Sequence, residues 1–173
     1  MSGFYPLLNE ESANLLIDQL KSTFNAQLQI VDNMYSDGIS LEPLKSESIY
    51  ISEKFEPVRL PAAFVLFGNF TPEYSKEPNY LEGKNEVVIV ISAEDMGADA
   101  LTKKMWRYAR VAFSSFNLVD LQTSDGRLKI RCVPKRIGYS DKVTTKMSQE
   151  KKKYRQDCVI ELDVLHYEKN LTE

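Results

Sequence analysis

ADALTKKMWRYARVAFSSFNLVDLQTSDGRLKIRC (98–132) holds both periodicities from which the fold can be read. In its first part Leu101, Met105, Ala109, Ala112, Phe113 and Phe116 recur at helical spacing and make one apolar face. Ala109 and Ala112 are small enough to let that face approach a sheet closely. The opposite flank shows Lys103, Lys104, Arg107 and Arg110, and Trp106 lies nearer this basic side than the centre of the stripe. A tryptophan so placed reads first as half-buried core and second as an interface anchor. In the second part Asp125-Gly126 predicts a two-residue hairpin turn. Leu128, Ile130 and Cys132 then point one way and Arg127, Lys129 and Arg131 the other, the pattern of a strand with one buried face.

The stretch 157–167 mirrors that arm, with Cys158, Ile160, Leu162 and Val164 on one face and Asp157, Glu161 and Asp163 on the other. Paired antiparallel, the two strands are expected to match bases to acids across the ladder. His166, the sole histidine, shares the face of Ile160 and Leu162 and is expected to be a hydrogen-bonded or end-of-strand residue. Cys132 and Cys158 share parity with apolar neighbours, so both are expected as free thiols on the core face.

Upstream, Ala13, Leu16, Ile17, Leu20, Phe24, Leu28, Val31 and Tyr35 predict a helix from about Glu10 to Tyr35, capped by Asn9 and stopped by Asp37-Gly38. Ile49 and Ile51, between Pro43 and Pro57, suit a short strand near a sheet edge. AAFVLFGNF (62–70) and NEVVIVISAE (85–94) are strands apolar enough to be covered on both faces over part of their length. The tyrosines and prolines between them, Tyr74 and Tyr80 included, suggest a contact loop. These elements together predict one α/β (α+β) domain over 1–173: a mixed, largely antiparallel sheet with a long N-terminal helix and a second helix packed against it.

The net charge of −3 conceals a division. Residues 1–102 carry 6 Lys+Arg against 16 Asp+Glu, residues 103–155 carry 15 against 4, and residues 156–173 carry 1 against 5. Such blocks mark an interaction surface or a face neutralised by acids within the fold. The polar stretch 134–155, with Lys135, Arg136, Lys142, Lys146, Lys151, Lys152, Lys153 and Arg155, reads as a long basic loop that becomes ordered only in an assembly.

No Gly-rich phosphate loop follows a strand, and the cysteine spacing does not suit zinc. A lone histidine with no nucleophile placed beside it leaves no catalytic triad, so neither an enzyme nor a cofactor is expected. Glu94, Asp95 and Asp99 cluster where a strand passes into a helix, which the helix dipole accounts for. With no membrane span and no leader-like start, the chain is expected in the cytoplasm where it is made.

The order of parts, with the helix ADALTKKMWRYARVAFSSF, the strand DGRLKIRCVPKRIGYS and the closing YRQDCVIELDVLHYEKN, resembles the tail terminator (tail completion) proteins of tailed bacteriophages, best over 85–169. The resemblance implies a hexameric ring that caps the tail tube, ends its growth and docks the head connector. Implied partners are further copies of the chain, the tail tube protein and the connector or stopper, with DNA at most passing through the lumen. It also implies a place in the virion neck, and it makes 134–155 a segment that reaches a neighbour. A head–tail adaptor or stopper shares that biology, whereas a nucleic-acid-binding module using the basic stretch is the rival from another class. A pI of about 5.4 and the small number of aromatics in that stretch weigh against the latter.

Overall fold

The computed structural model describes residues 8–52, 58–73, 77, 79–146 and 152–169. The N-terminal helical segment comprises α1 (Leu8–Gln19), a π turn (Leu20–Phe24) and α2 (Asn25–Asp32). The π turn follows from the spacing of the stripe. Leu16, Leu20, Phe24 and Leu28 lie four apart, and each such step drifts about 40° on a helix of about 3.6 residues per turn. A wider turn absorbs the drift, so Leu20, Phe24 and Leu28 are all buried. Two expectations are corrected here: Asn9 lies inside α1 and does not cap it, and the helix ends at Asp32. Tyr35 lies past that end because Asn33 and Met34 close the last turn with backbone bonds to Gln29 and Val31.

The strands are β1 (Ile49–Tyr50), β2 (Ala62–Glu73), β3 (Tyr80–Asp95), β4 (Asp120–Gln122), β5 (Leu128–Tyr139), β6 (Val143–Lys146) and β7 (Lys152–Lys169), with α3 (Ala98–Phe116) between β3 and β4. They form one sheet in the order β1-β2-β3-β7-β5-β4, and β6 pairs with the start of β7. Only β1 and β2 run parallel, so the protein has an α+β fold with a mixed, largely antiparallel sheet. β1 is the edge strand expected around Ile49, and Ile51 lies just beyond it.

Both helical segments lie on one side of the sheet. α3 packs on β3, β7 and β5, whereas α1 reaches β2. The segment leans on α3 through stacked Phe24 and Tyr108 rings 6.3 Å apart and a 2.8 Å bond from Gln19 Nε2 to the Ser115 carbonyl. Parity on β7 holds as expected: Cys158, Ile160, Leu162 and Val164 are buried with Leu128, Ile130 and Cys132 of β5. On the helix-free side Ala62 and Phe64 are buried while Leu66, Val88, Val90 and Val159 are half-buried, so β2 and β3 are covered on both faces over part of their length, as expected.

Three loop expectations are corrected. The contact loop between 70 and 85 is largely ladder, with Thr71, Pro72 and Glu73 facing Lys84, Gly83 and Glu82. Gly83 permits this, because a Cβ there would lie 2.5 Å from the Phe70 ring and 2.7 Å from the Thr71 carbonyl oxygen. The turn at Asp125-Gly126 is not a two-residue hairpin, since Thr123 N bonds to the Leu128 carbonyl and leaves 124–127 as the connection. Gly126 supplies its left-handed residue (φ +68°). Finally, the basic stretch 134–155 is mostly strand: β5 runs through Pro134 to Tyr139, β6 follows, and β7 begins at Lys152.

Candidate interaction surfaces

The charge blocks meet inside the fold. Lys104 lies 2.6 Å from Asp95, Lys153 lies 2.8 Å from Glu94, and Arg107 lies 2.5 Å from Asp37. Asp95 also accepts the Gly97 amide at 2.9 Å. Burial raises its pKa, but these bonds outweigh it and hold the carboxyl below its usual range. Glu94 and Asp95 are thus occupied by lysines, and among the described residues no three His, Cys, Asp or Glu side chains gather as a metal site would need.

Expected pairing across β5 and β7 takes another register. Lys129 faces Tyr167 and Arg131 faces Leu165, while a bulge at Lys135 brings the next two bases to the acids. Arg136 reaches Glu161 at 2.5 Å and Lys135 reaches Asp163 at 3.3 Å. Arg131 instead forks onto Asp120 of β4 with bonds of 2.6 and 2.7 Å, and Arg127 lies 3.1 Å from Glu168.

The expected interface residues therefore separate. Arg107 leaves the group: it is buried, donates to the Ile39 carbonyl at 2.7 Å and lies 4.0 Å over the Tyr35 ring. Helical spacing does not reveal that residues 35–39 fold back on that flank. Tyr80 begins β3 and stacks on Tyr167 at 4.7 Å, so it belongs to the sheet. Arg155 spans Asp157 at 3.8 Å and the Ser92 hydroxyl at 3.3 Å. Lys146 ends the strand β6, and Tyr74 and Lys151 lie outside the described residues. Arg110, Lys142 and Lys152 are exposed and make no ion pair with a described residue, and the same holds for Lys129. Trp106 is 57% exposed, against the half-buried core place expected of it. Phe113 reaches 36% exposure, at the margin of the stripe assigned to it.

Ile137 and Tyr139 were not singled out in the sequence. They face buried Ile160 and Cys158 across the ladder, so they project to the helix side of the sheet, yet they are 39% and 44% exposed. Extending the alternation of 128–132 past Pro134 would have found them, had the bulge been visible. A second feature lies at the far end of the sheet, a groove of about 730 Å³. Its residues include Leu165 and Tyr167, with Glu73 and Glu82 to one side and Lys129 and Arg131 to the other. His166 borders it with a buried ring, its Nε2 3.2 Å from Glu168 Oε2 and its edge against Phe70 at 5.3 Å. That is the hydrogen-bonded strand histidine expected. Burial lowers its pKa, only partly opposed by Glu168, so the ring is held neutral.

Both cysteines are buried free thiols, as expected, and burial pushes each up to about 12. No helix among the described residues is long and apolar enough to cross a membrane. No protein-family model and no curated protein matches the chain. A solved chain from the virion of a native gene transfer agent particle is similar at 15% identity, covering 91% of this chain and 99% of that chain with a TM-score of 0.42.

Proposed function

We propose that this chain is a structural assembly subunit of the tail-terminator type, whose copies close into a ring, hexameric in form, that caps a tail tube and joins it to the head connector. One observation carries the reading. After internal pairing, the acids Glu10, Glu11, Asp18, Glu42 and Glu47 outnumber the bases Lys21, Lys45 and Arg59 at the β1–β2 end of the sheet, and exposed bases with aromatics lie at the β5–α3 end. A surface divided in this way suits a contact repeated by rotation. Resemblance of 85–169 to the terminator proteins supplies the station in the particle. Pairing of Lys135, Arg136 and Lys153 with carboxylates leaves few bases for phosphates, which disfavours the nucleic-acid reading.

Light scattering behind size-exclusion chromatography, on the full chain over a range of salt, tests the proposal. A discrete multimer that loosens as salt rises is the expected result, with rings visible by negative-stain microscopy. A monomer at every concentration and salt overturns it.

A further inference from the structure

We infer that the ring contact joins opposite ends of the sheet: an aromatic and cationic strip on α3 and β5 receives the acidic β1–β2 end of a second copy. The inference rests on the assembly reading above and names its surfaces. Trp106, Arg110 and Phe113 stand four and three apart on α3, so they form one continuous exposed strip. Residues on a helix turn by about 100° each. With Tyr108 and Ser115 turned to the first helical segment and Met105 and Ala112 in the core, Trp106 and Phe113 fall on the remaining flank. α1 lies over β2, so that flank looks toward β5, where Ile137 and Tyr139 rise on the same side of the sheet. Trp, Tyr and Arg are the side chains that most often dominate binding energy in an interface centre.

Charge selects the occupant. Glu10, Glu11 and Asp18 on α1 and Glu42 and Glu47 before β1 make no ion pair with a described residue and outnumber the bases Lys21, Lys45 and Arg59 at that end. These acids sit at the end of the sheet opposite the strip, so a second copy brings acids to Arg110 when the same operation is repeated. Side chains carry this contact. Both sheet rims are interrupted, β2 by a register shift between Phe67 and Phe70 and by Pro72, β5 by Pro134 and the bulge at Lys135. Interruptions of that kind discourage continuous strand pairing between copies.

Two full-chain variants test the assignment, each blocked at one end: Trp106→Ala with Arg110→Glu, and Asp18→Lys with Glu47→Lys. All four side chains are exposed or border solvent, so melting temperatures should match the parent, and Phe113→Ser with Tyr139→Ser serves as a second strip variant. Sedimentation velocity should show each variant alone as monomer, its dissociation constant raised roughly thirtyfold or more. Mixed, the two should form a discrete dimer and nothing larger, since one intact strip meets one intact acidic end. A parent ring that tolerates the variants overturns the surfaces and leaves the ring. A mixture that stays monomeric overturns the head-to-tail direction. A parent chain that never assembles overturns both the surfaces and the ring.

Discussion

Arg107 of α3 donates to Asp37, 2.5 Å away, and so fastens the connection after α2 onto the helix it crosses. The guanidinium is buried and also holds the Ile39 carbonyl and the Tyr35 ring, three partners that Arg107→Ala removes at once. The variant should melt lower by several degrees, whereas Arg110→Ala, one turn away and exposed, should melt as the parent does. The hydrogen bond from Arg107 holds the Asp37 carboxyl below its usual range. A depressed carboxyl stabilises the fold above its unfolded pKa and loses that contribution as pH falls through the folded one. The gap between parent and Arg107→Ala in thermal melts should therefore narrow under acid conditions below the ordinary carboxylate range.

Leu162→Asp should abolish folding. Leu162 is 1% exposed among the residues that β7 turns to the helices, and a carboxylate there has no partner. The cost, about 4 kcal/mol or more, is a large share of a domain's stability. Circular dichroism of soluble Leu162→Asp showing a cooperative melt near the parent's would contradict the parity of β7.

Gly83→Ala should destabilise by about 1–3 kcal/mol, because its methyl meets the Phe70 ring and the Thr71 carbonyl. Gly138→Ala is the control, with nothing within 4 Å of the added carbon. Phe70→Ala in the Gly83→Ala background should recover only part of the loss, since the carbonyl is backbone and stays. Urea titrations of the variants would show that order.

Native Cys132 and Cys158 should resist an aromatic disulfide reagent at mildly alkaline pH, because burial pushes each thiol up to about 12. Both should react at once in denaturant. Fast reaction of either in the native protein would place it outside the core.

His166 gives a second acid dependence. Its pKa is lowered from 6.5 by burial, so the unfolded chain takes up a proton that the fold excludes. Stability is full above the unfolded pKa and falls as pH drops below it, a slope that His166→Gln should flatten at pH values below 6.5. Equal slopes in parent and variant would show that another group is responsible.

The apolar faces of the second helix and of two strands were legible in the sequence. The face of α3, the alternation of Leu128, Ile130 and Cys132 and that of Cys158 to Val164 all follow from which side chains avoid water. The strand ends within 134–155 were not legible, because there the ladder is exposed or half-buried on both faces and has little alternation to display. Hence 134–155 looked like a loop although β5, β6 and β7 occupy most of it. Register was hidden for a related reason: one bulged residue, Lys135, decides that Arg136 and not Arg131 meets Glu161. Among the interface candidates, Trp106 and Arg110 stay at the surface and Arg107 does not, a distinction made by residues about 70 positions away in the chain.

The central position of β7 governs the order in which the molecule can form. β3 and β5 are not neighbours, and each pairs along most of its length with residues 152–169. On the ribosome, which adds residues from the N-terminus at about 5–20 per second, β3 and β5 must each wait with a bare hydrogen-bonding rim until β7 emerges. The sheet then closes in a late step dominated by contacts distant in sequence, the kind that forms slowly. Until that moment the apolar runs of β2 and β3 are open to other nascent chains, so yield in the cell should depend on how quickly synthesis passes residue 169 and on the chaperones that hold the chain meanwhile.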